Sequence, residues 1–161
     1  MGQRRSARES ALQILFELEF NDAGLEPALS RHWAGKKADA AVREYAAWLA
    51  RGIVPRRDEI DGLIQSTSTH WRVSRMALVD RNILRIAVFE LLEEKFLAPA
   101  IIINEAIEIA KRYSGPEAAV FVNGVLDAVR KKLNRKNARE EEKDDERTKE
   151  PAKKRTAGAG G

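Results

Sequence analysis

Residues 4–20 read Arg4-Arg5-Ser6-Ala7-Arg8-Glu9-Ser10-Ala11-Leu12-Gln13-Ile14-Leu15-Phe16-Glu17-Leu18-Glu19-Phe20. Plotted at about 100° per residue, Ala7, Ala11, Ile14, Leu15 and Leu18 fall on one stripe, which predicts an amphipathic helix docked by that face. Arg4 sits at the edge of the stripe. Arg5 and Arg8 occupy the adjoining flank, which Leu12 and Phe16 continue. Cations at a helix start oppose the macrodipole, and Glu9 alone offers local compensation. A local rule broken without local gain tends to mark function, and the planar, permanently charged guanidinium suits phosphate. The segment therefore reads either as a phosphate-recognising arginine edge or as a solvated basic helix end.

Outward from this segment, helical periodicity continues and no strand pattern emerges. Asn21 to Gly24 has turn composition. Leu25, Leu29 and Trp33 predict a short helix closed by Gly35, with Pro27 tolerated in its first turn. Val42, Tyr45, Ala46, Leu49 and Ile53 share the face of a longer helix for which Asp39 is a plausible N-cap. Pro55 interrupts it, and the pattern resumes at Ile60, Leu63 and Ile64. Val79, Ile83, Ile86, Ala87 and Leu91 mark a helix beginning near Ser74, and Ile102, Ala106, Ile109 and Ala110 mark the next. Ser114-Gly115-Pro116-Glu117 has capping-box form and opens a last helix through Phe121, Val122, Val125, Leu126 and Val129 to about Leu133. Helices this short must pack together to persist in water.

Length and composition narrow the function. The 161 residues suit one domain with a tail. There is no cysteine, which excludes disulfides, thiolate chemistry and cysteine-ligated zinc. His32 and His70 lack any metal-ligand spacing, so neither a metal nor a cofactor is expected. No apolar run reaches the roughly 18 residues of a membrane span, and the basic start lacks a signal-peptide core; a cytoplasmic protein is expected. The net charge is +4, of which the nine basic and seven acidic residues after Leu133 supply +2. The body is thus not globally basic, and any polyanion site must be a local patch. From residue 134 the apolar pattern stops, so residues 134–161 are expected to be a disordered charged tail on a helical domain of residues 1–133.

Four segments then occur in order: Arg4-Arg5-Ser6-Ala7-Arg8-Glu9, Val79-Asp80-Arg81-Asn82-Ile83-Leu84-Arg85-Ile86-Ala87, Ile103-Asn104-Glu105-Ala106 and Phe121-Val122-Asn123-Gly124-Val125-Leu126-Asp127. Together they resemble the NusB family of bacterial transcription antitermination factors, over about Gln3 to Leu133. The resemblance implies an all-α bundle of two packed three-helix halves and a non-enzymatic adaptor. Its partners would be the single-stranded boxA element of ribosomal RNA transcripts, the small-subunit ribosomal protein NusE, further Nus factors and RNA polymerase. Carried over residue by residue, it places RNA contacts at Arg4, Arg5, Arg8, Glu117 and Phe121, and NusE contacts at Phe16 and Asp80. Many relatives have tyrosine at the position of Phe16 and further basic residues where Ser6 stands. Some pair as homodimers.

The other polar residues of these motifs, Arg85, Glu90, Asn104, Glu105, Asn123 and Asp127, read as buried pairs that fix how helices meet. Glu90 and Glu105 lack a third group for acid–base catalysis. Trp33, Trp48 and Trp71 read as core or inter-helix aromatics. Gly124 weakens its helix by about 1 kcal/mol relative to alanine, which close helix approach or a ligand backbone would offset. Two rival readings stay open. One is a module of the kind that precedes RNA cytosine methyltransferase domains, although no nucleotide loop or catalytic cysteine is present. The other is a protein-interaction bundle with an idle arginine flank.

Overall fold

A computed structural model describes residues 2–149. Among the described residues seven α-helices follow one another: α1 (Gly2–Leu18), α2 (Leu25–Trp33), α3 (Ala40–Ile53), α4 (Arg57–Thr67), α5 (Leu78–Glu93), α6 (Pro99–Tyr113) and α7 (Pro116–Lys149). No strand occurs among the described residues. The chain divides into two compact units, Met1–Val129 and Arg130–Gly161.

The first unit is an all-α bundle of two packed halves. In one half, α1 lies along α3 and both hold α2. Ile14, Ala28, Leu29 and Ala50 form one core cluster there, and Ala7, Val42 and Ala46 a second, closed by Trp33 and Tyr45. The other half is built on α5, which meets α4 and α6 and also contacts α1 and α3. Every residue from Asn82 to Glu90 is buried, the signature of a helix covered on all sides rather than along one stripe. Gly52 of α3 lets the two halves approach: a Cβ built there would stand 2.2 Å from the Phe89 ring of α5.

Pro55 breaks the chain as its missing N–H requires, leaving a 3-10 turn over Val54–Arg56 between α3 and α4. Other boundaries differ from expectation. The segment at Ser74 is a 3-10 turn, Val73–Arg75, and α5 begins only at Leu78. Ser114 is not an N-cap. It closes α6, Gly115 turns the chain at φ 112°, and Pro116 opens α7; proline at the first helical position had the stronger preference. Asp39 stands at the N-cap of α3 without a capping bond, its carboxylate instead accepting from Gln3 at 2.9 Å.

The last helix also runs on past Leu133 to Lys149. Every residue from 134 to 149 is exposed, as a stretch without apolar pattern must be. Its Lys, Arg, Glu and Ala content nonetheless has high helix propensity, which the expectation of disorder overlooked. The rest of that expected tail, residues 150–161, lies outside the described residues.

Candidate nucleic-acid interface

The arginines of α1 are not a free edge. Arg8 is buried, and its Nε and Nη2 donate to Glu90 Oε1 and Oε2 at 2.8 and 2.9 Å. The Tyr45 hydroxyl donates to the same Glu90 Oε2 at 2.7 Å. Arg5 makes a second fork, Nε and Nη2 donating to Glu105 at 2.8 and 3.0 Å. Arg4 reaches Glu94 at 3.3 Å and lies 3.9 Å over the Tyr45 ring. The local dipole conflict is thus relieved by carboxylates from α5, α6 and the residue after α5. The reading of all three as a free RNA-facing edge is corrected accordingly. Arg8 is part of the core, whereas Arg4 and Arg5 keep side-chain exposures of 54% and 39%.

The electrostatics agree with the geometry. Burial lowers the basicity of Arg8, but the hydrogen bond and charge of Glu90 raise it further, so the guanidinium remains charged. Hydrogen bonding by Arg5 holds the Glu105 carboxyl below its ordinary range. Burial, then the bond to Glu90, pushes the Tyr45 hydroxyl up. A comparable lock joins the halves elsewhere: Arg85 forks onto Asp61 of α4 at 2.7 Å and reaches Glu19, beyond α1, at 2.8 Å. Arg85, Glu90 and Glu105 are therefore structural pairs. Asn104, Asn123 and Asp127 are exposed instead, because they face away from the apolar stripes of their helices. Gly124 has no atom within 4 Å of an added Cβ, so close helix packing does not explain it.

A different surface gathers the remaining candidates. The α4–α5 connection and the start of α7 border an open cleft of about 1030 Å³. Glu117 and Phe121 from α7 and Asp80 from α5 line it together with His70, Trp71, Arg72 and Arg75. Trp71 is 63% exposed and meets the Phe121 ring edge-on, centroids 5.8 Å apart. It is not a core aromatic, since the turn that carries it leaves the bundle. That turn is held firmly. Gln65 donates to the carbonyls of Ser68 and Trp71 at 3.0 and 2.9 Å and accepts from the Val73 N–H at 2.9 Å. Arg81 donates to the carbonyls of Ser74 and Met76. Arg72 and Arg75 are exposed and, among the described residues, make no ion pair or hydrogen bond through their side chains. Asp80 Oδ1 is buried on this wall without a hydrogen-bond partner, an arrangement that is costly unless a donor arrives.

The sequence reading did not single out Arg72 and Arg75, although the run His70-Trp71-Arg72-Val73-Ser74-Arg75 interleaves cations with an aromatic as nucleic-acid surfaces do. Phe16 lies elsewhere, on α1, 38% exposed and edge-on to Phe20, with centroids 5.2 Å apart. No described contact joins it to Asp80. No group of three or more potential metal ligands exists among the described residues, and none of their helices is long and apolar enough to cross a membrane.

Comparison with known proteins decides the lineage: the NusB family model matches residues 5–131. The chain belongs to the NusB family. A transcription antitermination protein NusB from Syntrophus aciditrophicus is 40% identical over 141 residues, covering 88% of each chain. The solved NusB of T. maritima superposes with a TM-score of 0.73 at 40% identity, covering 80% of this chain and 90% of that one. A NusB solved in complex with NusE and double-stranded RNA gives a TM-score of 0.73 at 29% identity, over 81% of this chain and 98% of its own. As a NusB-family member the chain is a transcription antitermination factor and not an enzyme.

Proposed function

We propose that this NusB-family chain binds the boxA element of ribosomal RNA transcripts together with the ribosomal protein NusE, and carries the pair to further Nus factors and RNA polymerase. The observation that carries the reading is the edge-on pair of Trp71 and Phe121 in one cleft with the guanidiniums of Arg72 and Arg75, which make no side-chain ion pair or hydrogen bond among the described residues. Single-stranded RNA is bound by stacking its bases on aromatic or guanidinium planes and by hydrogen bonds to their edges. Trp71 supplies the stacking face. Arg72 and Arg75 supply phosphate contacts, and the exposed Glu117 carboxylate accepts from a base amine. Arg4 and Arg5 add charge at the rim of α1 when an RNA phosphate competes with Glu94 for Arg4 and with Glu105 for the Arg5 fork. Arg8 takes no part beyond holding α1 in place.

NusE is assigned to Phe16, with its exposed neighbour Phe20, and to Asp80, whose unpartnered oxygen awaits a donor. A joint footprint raises affinity and selectivity above what a few cations achieve alone.

The test is a titration of single-stranded boxA RNA, a scrambled strand and a duplex of the same sequence, with and without NusE, at two salt concentrations. The reading expects a single-strand preference that NusE sharpens. Equal binding of all three RNAs, unchanged by NusE, would overturn it.

A further inference from the structure

The exposed part of α7 lies beyond the stretch that the family model matches. Its charges are ordered around the helix. At about 100° per residue, Arg135, Lys136, Arg139, Lys143 and Arg147 fall within roughly 120° of arc. Glu146 intrudes near the far end of this stripe and Glu140 borders it. Glu142 borders the opposite edge of the stripe, and Glu141, Asp144 and Asp145 take the reverse side. At about 1.5 Å per residue the stripe is about 18 Å long. All five cations are exposed, and none makes an ion pair or hydrogen bond through its side chain among the described residues. Lys136 and Glu140, for instance, stand one turn apart without closing a pair.

We propose that this stripe is a docking rail for the RNA sugar–phosphate backbone, separate from the cleft; the proposal rests on the reading above that the chain binds RNA. A row of cations recurring about every turn is a linear array, and its complement is a linear polyanion. Arginines at both ends offer planar guanidinium forks that match phosphate oxygens. The acidic reverse side repels the same polyanion, so contact is confined to one face. With no apolar residue on the stripe, the rail adds charge without sequence readout. It increases affinity for transcripts that extend past the recognised element.

The test uses the full chain and a single-stranded RNA with flanking nucleotides, followed by fluorescence anisotropy across several salt concentrations. In the variant combining Arg135→Gln, Lys136→Gln, Arg139→Gln and Lys143→Gln, each lost phosphate contact removes roughly 0.7 from the slope of log Kd against log salt, about 2 to 3 in total. The charge-retaining pair Arg135→Lys with Arg139→Lys keeps the wild-type slope. A wild-type slope in the glutamine variant, or an equal loss in the lysine variant, would overturn the rail. So would competition by polyglutamate as effective as that by RNA. If the rail variant binds normally while Trp71→Ala does not, the rail alone fails. If the unaltered chain shows no RNA binding, both readings fall.

Discussion

Arg8 and Tyr45 converge on one carboxylate, that of Glu90, whose side chain is 1% exposed. Removing one member of such a buried set strands a charge, at a typical loss of about 3–5 kcal/mol. Arg8→Ala is therefore expected to lower the melting temperature severely or prevent soluble folding, measured by circular dichroism. A stable variant with weakened RNA binding would instead return Arg8 to the interface. The Arg5–Glu105 fork predicts a pH effect. Its carboxyl is held below the ordinary value of 4.5 in the folded chain. The folded state thus binds that proton less tightly than the unfolded state. The stabilisation is complete above the unfolded value and is lost as pH falls through the lower folded one. Melting temperatures below pH 4.5 should fall more steeply in the unaltered chain than in Glu105→Gln, and parallel profiles would remove the linkage.

At the scale of elements, two glycines inside helices sit in opposite surroundings. An alanine at Gly52 would gain up to about 1 kcal/mol of helix propensity, but its Cβ meets the buried Phe89 ring. Overpacking of this kind typically costs about 1–3 kcal/mol. Gly52→Ala should be destabilising in chemical denaturation. Gly124→Ala, with open space around it, should stabilise by up to about 1 kcal/mol. The reverse order of the two would contradict the α3–α5 contact. The helices themselves were legible because their apolar spacing is regular, and Pro55 and Pro99 punctuate them as a fixed φ and a missing donor demand. The errors fell where local signals compete. Ser114 and Pro116 are helix-start signals only two residues apart, and the charged extension of α7 has propensity without apolar periodicity.

At the scale of the whole molecule, long-range pairing separated what the sequence conveys from what it hides. Arg8 and Glu90 are 82 positions apart, so an arginine cluster at a helix start looks unpaired until the fold brings carboxylates to it. Conversely, Trp71 has the size and hydrophobicity of a core residue, and only the turn pinned by Gln65 and Arg81 shows that it faces outward. Glu117, Phe121 and Asp80, taken from the family resemblance, do line one cleft with it. On the proposed function this cleft, rather than the start of α1, is the principal RNA surface. The most direct measurement is the affinity of the Trp71→Ala, Arg72→Ala double variant for single-stranded boxA RNA, with its melting temperature as control. Loss of one stacked base is worth about 1–3 kcal/mol, so binding should weaken roughly tenfold or more at an unchanged melting temperature. Wild-type affinity in that variant would contradict the account.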